Sequence, residues 1–154
     1  MAEKIDKNLY YDERSAGGLV YKRDGKKIFW LLVKTAGNKK GETYCKFPKG
    51  HMMGNEYLKQ TALREVEEEG KIKAKVISKL GSNNYIIWDK IQKRKIIKKV
   101  TFFLMEYVEE SRLRHYDTEM VMDREWLTME DAIKVLAYDS EKVLLKKAME
   151  KLID

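Results

Sequence analysis

Residues 50–72 read GHMMGNEYLKQTALREVEEEGKI, a glycine-containing entry followed by a run of glutamates. Four of the five residues at positions 65–69 are glutamates, although the chain carries a formal net charge of +7. Residues from about 55 to 69 are good helix formers, and Gly70 supplies a stop signal. Like charges three and four residues apart repel each other on a helix. The pattern therefore predicts a helix whose carboxylates are neutralised by something outside the chain.

Three of these glutamates share one side of the predicted helix. At about 100° per residue, Glu65, Glu68 and Glu69 fall within a strip roughly 100° wide. The strip borders the apolar side that Ala62 and Val66 form, so it is not simply the far solvent face. Gathered carboxylates suit a hard divalent cation such as Mg²⁺, which prefers oxygen ligands and bridges to substrate phosphate. A solvated charged face remains the alternative.

The loop before the helix favours the metal–phosphate interpretation. It carries Lys49 and His51, and its glycines allow backbone N–H groups to approach an anion. A basic chain is also expected to bind anionic partners, among which charge alone does not choose. The acidic helix and this loop together predict a site for a metal ion and a phosphate group.

Composition indicates one soluble domain. The 154 residues are 44% hydrophobic and 37% charged, and no apolar run reaches the length of a membrane span. We expect a single domain over 1–154, with a core at about 13–138 and a C-terminal helix at about 140–152. The N-terminus lacks the apolar segment of a signal peptide, and the single cysteine, Cys45, excludes an internal disulfide. We therefore expect a cytoplasmic protein without membrane contact.

The remaining patterns predict mixed β structure with helices. Strands are predicted at 14–22, 28–33, 74–80, 84–88, 96–108 and 125–127, the first two joined by a turn at 23–26. Thr128 is predicted to cap a helix and Ser140 to cap the last one. Turns rather than helices join most consecutive strands, which favours α+β or an α/β/α sandwich over a doubly wound parallel sheet.

Residues 50–72 resemble the Nudix box, G-x5-E-x7-R-E-U-x-E-E-x-G-U, where U is a large aliphatic residue. Eight of its nine specified positions match, beginning with Gly50, Glu56 and Arg64. The departure is the second glycine, whose place is taken by Lys71 while Gly70 lies one residue earlier. The shift leaves every acidic position in place and puts the helix exit in question.

The resemblance extends from about residue 15 to 136. Residues 47–51, FPKGH, look most like the branch that hydrolyses dinucleoside polyphosphates such as diadenosine tetraphosphate. Related branches that act on inositol pyrophosphates or capped RNA share this type of entry. The alternative substrates are therefore nucleoside triphosphates, RNA 5′ ends or inositol pyrophosphates. The resemblance implies an α+β, Nudix-type α/β/α sandwich with a mixed sheet, a catalytic loop and helix, and C-terminal helices.

The family's pattern implies a role for each box residue. Glu65, Glu68 and Glu69, with Gly50, would hold Mg²⁺, with Mn²⁺ as the alternative. Arg64 and Glu56 would form an ion pair that steadies the helix and loop. Lys49 and His51 would bind phosphate oxygens.

The general base and the base-stacking residue stay open. The family often places a glutamate six residues before the aromatic residue of the last strand, but that count from Trp126 reaches Met120. Glu119 is the neighbouring candidate, and Glu65 or Glu68 would otherwise serve. The aromatic candidates for stacking on adenine are Tyr85, Trp88 and Phe103, although strand aromatics are more often core residues.

The implied activity is metal-dependent hydrolysis of a phosphoanhydride bond by attack of water on phosphorus, for example of diadenosine tetraphosphate to ATP and AMP. The enzymatic alternative is another Nudix substrate. The non-enzymatic alternative is a binding domain that contacts RNA through the basic segment 90–99. The expected partner is a small nucleotide, and a monomer or a homodimer fits the sequence equally.

Overall fold

The computed structural model describes residues 12–37, 39–113 and 121–153. In chain order the elements are β1 (Glu13–Asp24), β2 (Lys27–Ala36), β3 (Thr43–Lys46), β4 (Lys49–His51), α1 (Leu58–Gly70), β5 (Ile72–Asp89), β6 (Arg94–Glu110), β7 (Val121–Leu127), α2 (Met129–Val135) and α3 (Asp139–Leu152).

The strands form one mixed sheet of order β3-β2-β1-β6-β5, with β4 paired to β1 and β7 paired to β2. Only the β1–β6 pairing is parallel among these pairs of described strands, and the rest are antiparallel. The parallel pair places β1 at the centre, where it contacts β2, β4 and β6. The short strand β4 is thereby held against β1, directly before the segment that leads into α1.

Helices cover both faces of the sheet. Along β1, Val20 faces the α1 side with Val66, whereas Leu19 and Tyr21 face the opposite side, because successive strand residues point to opposite faces. The α1 side contains a core of Ala16, Val20, Leu31, Ala62, Val66, Ile72, Phe103 and Met105. The opposite core includes Leu19, Trp30, Phe47, Phe102 and Leu104, and it is closed by residues of α2 and α3. The predicted α/β/α sandwich is confirmed.

Most element predictions are confirmed, with three corrections. The segments predicted as separate strands at 74–80 and 84–88 form one strand, β5, whose register shifts at several points while it follows the long partner β6. Helix α1 begins at Leu58 rather than near 55, after Tyr57, whose N–H donates to the Gln60 side chain at 2.8 Å. Thr128 caps α2 as predicted, but α3 begins at Asp139, so Ser140 lies inside its first turn.

The exit of α1 explains the displaced glycine. Lys71 takes the left-handed conformation, with φ 57° and ψ 31°, and its N–H donates to the Glu67 carbonyl at 2.9 Å. A Cβ at Gly70 would lie 2.7 Å from Leu31 Cδ2, so a side chain there would displace the buried Leu31 side chain of β2. The chain therefore leaves the helix through Lys71, although glycine adopts this conformation with less strain.

No helix within the described ranges is both long enough and apolar enough to span a bilayer.

Candidate active site

Arg64 connects the loop to the acidic face of α1. Its Nε and Nη2 donate to the two oxygens of Glu56 at 2.7 and 3.0 Å. Its Nη1 donates to Glu65 at 2.8 Å and to Glu68 at 3.2 Å, and Nη2 also donates to the His51 carbonyl at 2.9 Å. The Arg64 guanidinium, with smaller help from the Met53 N–H and the Thr61 hydroxyl, lowers the pKa of Glu56 to about 2. The predicted Arg64–Glu56 ion pair is present in this geometry.

Gly50 lies directly against the Glu65 carboxylate. A Cβ at residue 50 would overlap the carboxylate carbon and both oxygens of Glu65. Residue 50 pairs with Ala16 in the β1–β4 ladder, so its position is set by the sheet. A side chain at residue 50 would therefore displace the Glu65 carboxylate from its position against β4.

Glu69 is the buried carboxylate of the site. Its side chain accepts the Lys49 N–H at 2.8 Å, and its backbone carbonyl accepts Arg124 Nε at 2.6 Å. Burial raises the pKa of Glu69 to about 7, and the negative charge of Glu65 adds to this, while the Lys49 N–H opposes it. A nearby cation would favour the charged form that burial disfavours.

The fourth glutamate of the run lies on a different side. Glu67 accepts the Ser111 hydroxyl at 2.6 Å, beyond the end of β6. It therefore anchors the segment after β6 and does not belong with Glu65, Glu68 and Glu69. The helical spacing predicted this separation correctly.

The carboxylates of Glu65, Glu68 and Glu69 are groups that can bind a divalent cation, although they do not converge on one point in this structure. Within the described ranges, no three His, Cys, Asp or Glu side chains converge at ion-binding distance. Glu65 and Glu68 are instead hydrogen-bonded to Arg64. Three carboxylates on adjoining turns, one of them buried with a raised pKa, provide the oxygen ligands that hard cations prefer.

A cleft of about 430 Å³ opens beside these residues, on the α3 side of the sheet. Glu69, Lys49 and His51 lie at one end of it, and His51 Nδ1 is 3.2 Å from the Ser15 hydroxyl. Burial lowers the pKa of Lys49. The remaining functional groups of the lining are Lys46, Tyr85, Lys98 and Tyr138.

The aromatic predictions have three different outcomes. Tyr85 lines the cleft, whereas Trp88 lies in an adjoining groove of about 340 Å³ that shares Ile87 and Lys98 with the cleft. The prediction for Phe103 is wrong, because its ring is only 4% exposed and packs in the core beneath α1. Along β6, Val100 faces the cleft, so Phe103 points to the other side of the sheet. Glu119, the candidate base, lies outside the described residues.

Sequence reasoning missed Lys46, Lys98 and Tyr138. Lys98 is the cross-strand partner of Tyr85, so the register of the β5–β6 hairpin would have indicated it once Tyr85 was chosen. Tyr138 precedes α3 and packs edge-on against Tyr44, with ring centroids 6.4 Å apart. No local sequence signal connects it to the cleft.

A family model described as NUDIX domain matches residues 12–147. The chain belongs to the Nudix hydrolase family. As such it is a hydrolase that acts on phosphoanhydride bonds, and the family generally uses divalent metal ions.

Two curated relatives and one solved structure are similar over most of this chain. The putative mutator protein MutT4 of Mycobacterium tuberculosis is 34% identical over 147 residues, which cover 92% of this chain but only 56% of that relative. The asymmetrical bis(5′-nucleosyl)-tetraphosphatase of Sus scrofa is 28% identical over 148 residues, covering 86% of this chain and 90% of the relative. The C. elegans Ap4A hydrolase binary complex has the same fold, with a TM-score of 0.67, 24% identity, and coverage of 91% and 97%. The similarity to the Sus scrofa tetraphosphatase is a resemblance to the dinucleoside polyphosphate hydrolase branch of the family.

Proposed function

We propose that this chain hydrolyses dinucleoside polyphosphates, for example diadenosine tetraphosphate to ATP and AMP, by attack of water on phosphorus. The observation that carries the proposal is the composition of one cleft. Its lining combines the Glu69 carboxylate of α1, three lysines, and two tyrosines, Tyr85 and Tyr138, that offer flat surfaces for a base. The similarity to the Sus scrofa tetraphosphatase supports the same substrate class.

In this proposal Glu65, Glu68 and Glu69, next to Gly50, hold Mg²⁺. When bound, such an ion polarises phosphoryl oxygens and lowers the pKa of water. The Arg64 guanidinium holds the Glu65 and Glu68 carboxylates at a fixed distance from the loop before α1. The proton of the attacking water goes to Glu119, or otherwise to Glu65 or Glu68.

The other cleft residues bind and orient the substrate. The Lys49 ammonium, together with Lys46 and Lys98, neutralises the charge of the phosphate chain, and His51 contacts a phosphate oxygen. The Tyr85 hydroxyl is 3.3 Å from the Ser140 hydroxyl, which fixes the ring that faces the base. Burial of Lys49 and Glu69 strengthens the electrostatic interactions at this end of the cleft.

The decisive experiment is product analysis of diadenosine tetraphosphate hydrolysis in heavy-oxygen water with Mg²⁺. We expect ATP and AMP in equal amounts, with the label in one product only, which identifies the phosphorus attacked. A substrate panel run in parallel includes nucleoside triphosphates and inositol pyrophosphates. A higher kcat/KM for a mononucleotide than for the dinucleotide would reject this substrate assignment.

A pair of variants on α1 tests the metal-ligand role. Glu68→Gln removes one charged oxygen on the acidic strip, so turnover should fall on the order of 100-fold. Glu67→Gln is the matched control, since Glu67 contacts Ser111 instead. Normal turnover of Glu68→Gln at saturating Mg²⁺ would contradict the role.

One observation favours RNA 5′ ends as a second candidate. The groove that continues from the cleft past Tyr85 contains Trp88 and Ile91, which are 59% and 92% exposed, together with Lys90. Exposed aromatic and basic groups are typical of single-strand binding. If a triphosphate-ended oligoribonucleotide is the substrate, Trp88→Ala should raise the KM for this oligonucleotide and leave the KM for ATP unchanged. The KM for the oligonucleotide should also rise steeply with salt concentration.

A further inference from the structure

The first turn of α3 contacts the active-site cleft although it lies about 90 residues after the phosphate-binding loop. Tyr138, just before the helix, forms part of the cleft wall, and Ser140 contacts the hydroxyl of Tyr85. The next residue, Glu141, is only 2% exposed and its carboxylate accepts the Phe47 N–H at 2.7 Å. Neither the Nudix box nor the proposed mechanism uses this glutamate.

Besides the pairing of Lys49 with Gly17 in the β1–β4 ladder, three hydrogen bonds fix the segment 47–49, and the Glu141 contact is one of them. The Pro48 carbonyl accepts the Gly18 N–H at 3.1 Å, and the Lys49 N–H donates to Glu69 at 2.8 Å. The three anchors come from α3, β1 and α1, and each holds a different residue of the segment. Because the Phe47 side chain is completely buried, its N–H would be left without its carboxylate acceptor in a dry environment if Glu141 were removed.

Burying a carboxylate is unfavourable unless hydrogen bonds and nearby charges compensate for the lost contact with water. Burial raises the pKa of Glu141 to about 7, opposed first by the Phe47 N–H and then by the charges of Lys49 and Lys46. Near neutral pH the group is therefore partly protonated, and its carbonyl oxygen accepts the N–H in either form. A glutamine side chain can therefore accept the Phe47 N–H in the same way. It cannot carry the negative charge that Glu141 presents to the Lys49 ammonium.

We propose that Glu141 is a positioning residue: its carboxylate fixes residues 47–49 and thereby places the Lys49 ammonium in the cleft for phosphate binding. The inference rests on the proposed function for the role of Lys49. It makes the C-terminal helix part of the substrate site. It also predicts that Glu141 acts through Lys49 and not through the stability of the fold as a whole.

The test is a double-mutant cycle with Glu141→Ala, Lys49→Ala and the combined variant. The measurements are kcat and KM for diadenosine tetraphosphate, thermal stability, and calorimetric binding of inorganic tripolyphosphate without metal. We expect Glu141→Ala to weaken tripolyphosphate binding and raise KM about tenfold, consistent with loss of a buried hydrogen bond. In the Lys49→Ala background the same change should have almost no further effect.

Two further variants separate positioning from folding. Glu141→Gln keeps the acceptor for Phe47 and should lose only about two- to threefold in tripolyphosphate affinity, even if Glu141→Ala proves too unstable to assay. Glu150→Ala, an exposed glutamate on the same helix, should match the unmodified protein.

Equal losses from Glu141→Ala in both backgrounds, or no loss in either, would overturn the inference. So would a glutamine variant as defective as the alanine variant. Failure of the unmodified protein to hydrolyse diadenosine tetraphosphate, with tripolyphosphate binding still dependent on Lys49 and Glu141, would refute the proposed substrate and leave the positioning role supported.

Discussion

Arg64 and Glu56 are eight residues apart and share two hydrogen bonds, 2.7 and 3.0 Å long, that join the loop before α1 to the middle of the helix. The same guanidinium contacts Glu65 and Glu68, so one planar group sets the spacing between the loop and two carboxylates of the acidic strip. A planar, five-donor group is suited to this role, and an ammonium is not.

Replacement of Arg64 by lysine should therefore impair both folding and turnover. Lysine keeps the charge but cannot donate to Glu56, Glu65 and Glu68 together, so we expect a loss of about 1 to 3 kcal/mol in unfolding free energy. Turnover should fall at least about tenfold, because the carboxylates lose their spacing. Denaturant unfolding and steady-state kinetics measure the two effects. Arg94→Lys is the matched control, because Arg94 is half-exposed and pairs with a single carboxylate, that of Asp12; an equal effect there would contradict the explanation.

Alanine at Gly50 should reduce activity more than stability. Its Cβ would overlap the Glu65 carboxylate, which is the flexible end of a side chain and can move away from β4. The fold is therefore retained, while one oxygen ligand leaves its place and turnover falls. Gly81→Ala is the control, since a Cβ there would meet Leu144 at an ordinary 3.6 Å. Melting temperature and kcat, measured for both variants, distinguish displacement of Glu65 from general damage.

Glycine at Lys71 should stabilise the protein. Lys71 has φ 57°, a conformation in which a side chain is strained and glycine is not. We expect Lys71→Gly to raise the free energy of unfolding by about 1 kcal/mol, with a melting temperature about 2 to 4 °C higher. Lys71→Ala retains a Cβ and should give little of this gain. A glycine variant less stable than the alanine variant would show that the lysine side chain contributes more than the strain costs.

The metal-free protein should become less stable as pH rises from about 5 to about 8. Burial raises the pKa values of Glu69 and Glu141 to about 7, above the ordinary value of a glutamate, so the folded state binds these protons more tightly than the unfolded state. Stability is thus highest below the ordinary pKa and is lost as pH rises through the raised pKa. The total change is on the order of 5 kcal/mol, because each of the two pKa values is raised by about two units and one unit corresponds to about 1.4 kcal/mol.

Thermal unfolding at several pH values without metal measures this dependence. The double variant Glu69→Gln, Glu141→Gln should show a flatter profile over the same range. Saturating Mg²⁺ should restore much of the stability at pH 8 if Glu69 is a ligand, because the ion favours the charged carboxylate. A steep profile in the double variant would assign the effect to other groups.

Local spacing determined the features that the sequence predicted correctly. Residues three and four apart meet on a helix whatever surrounds it, so the strip of Glu65, Glu68 and Glu69 and the separate side of Glu67 follow from positions alone. The Arg64–Glu56 pairing came from the family resemblance, and the structure contains it. The hairpin of β1 and β2 follows from a turn signal between two apolar runs.

Sequence reasoning failed where the role of a strand residue depended on which helix covers its face of the sheet. Alternation along β6 fixes that Val100 and Phe103 point to opposite sides, but only the packing of α1 and α3 decides which side is core and which is cleft. Phe103 was therefore predicted as a binding residue and is a core residue. Tyr138 and Glu141 were not singled out, because their partners Tyr44 and Phe47 are about 90 residues away.

The sequence by itself determined helix α1 and its acidic strip, because backbone geometry converts short spacings directly into neighbouring side chains, and its match to the Nudix box indicated the family. Only the tertiary structure decided which lysines and aromatic rings line the cleft, that Gly50 lies against the Glu65 carboxylate, and that α3 reaches the segment 47–49. Those contacts join residues far apart in the chain, and they exist because burying both faces of one sheet brings α1 and α3 to its two sides.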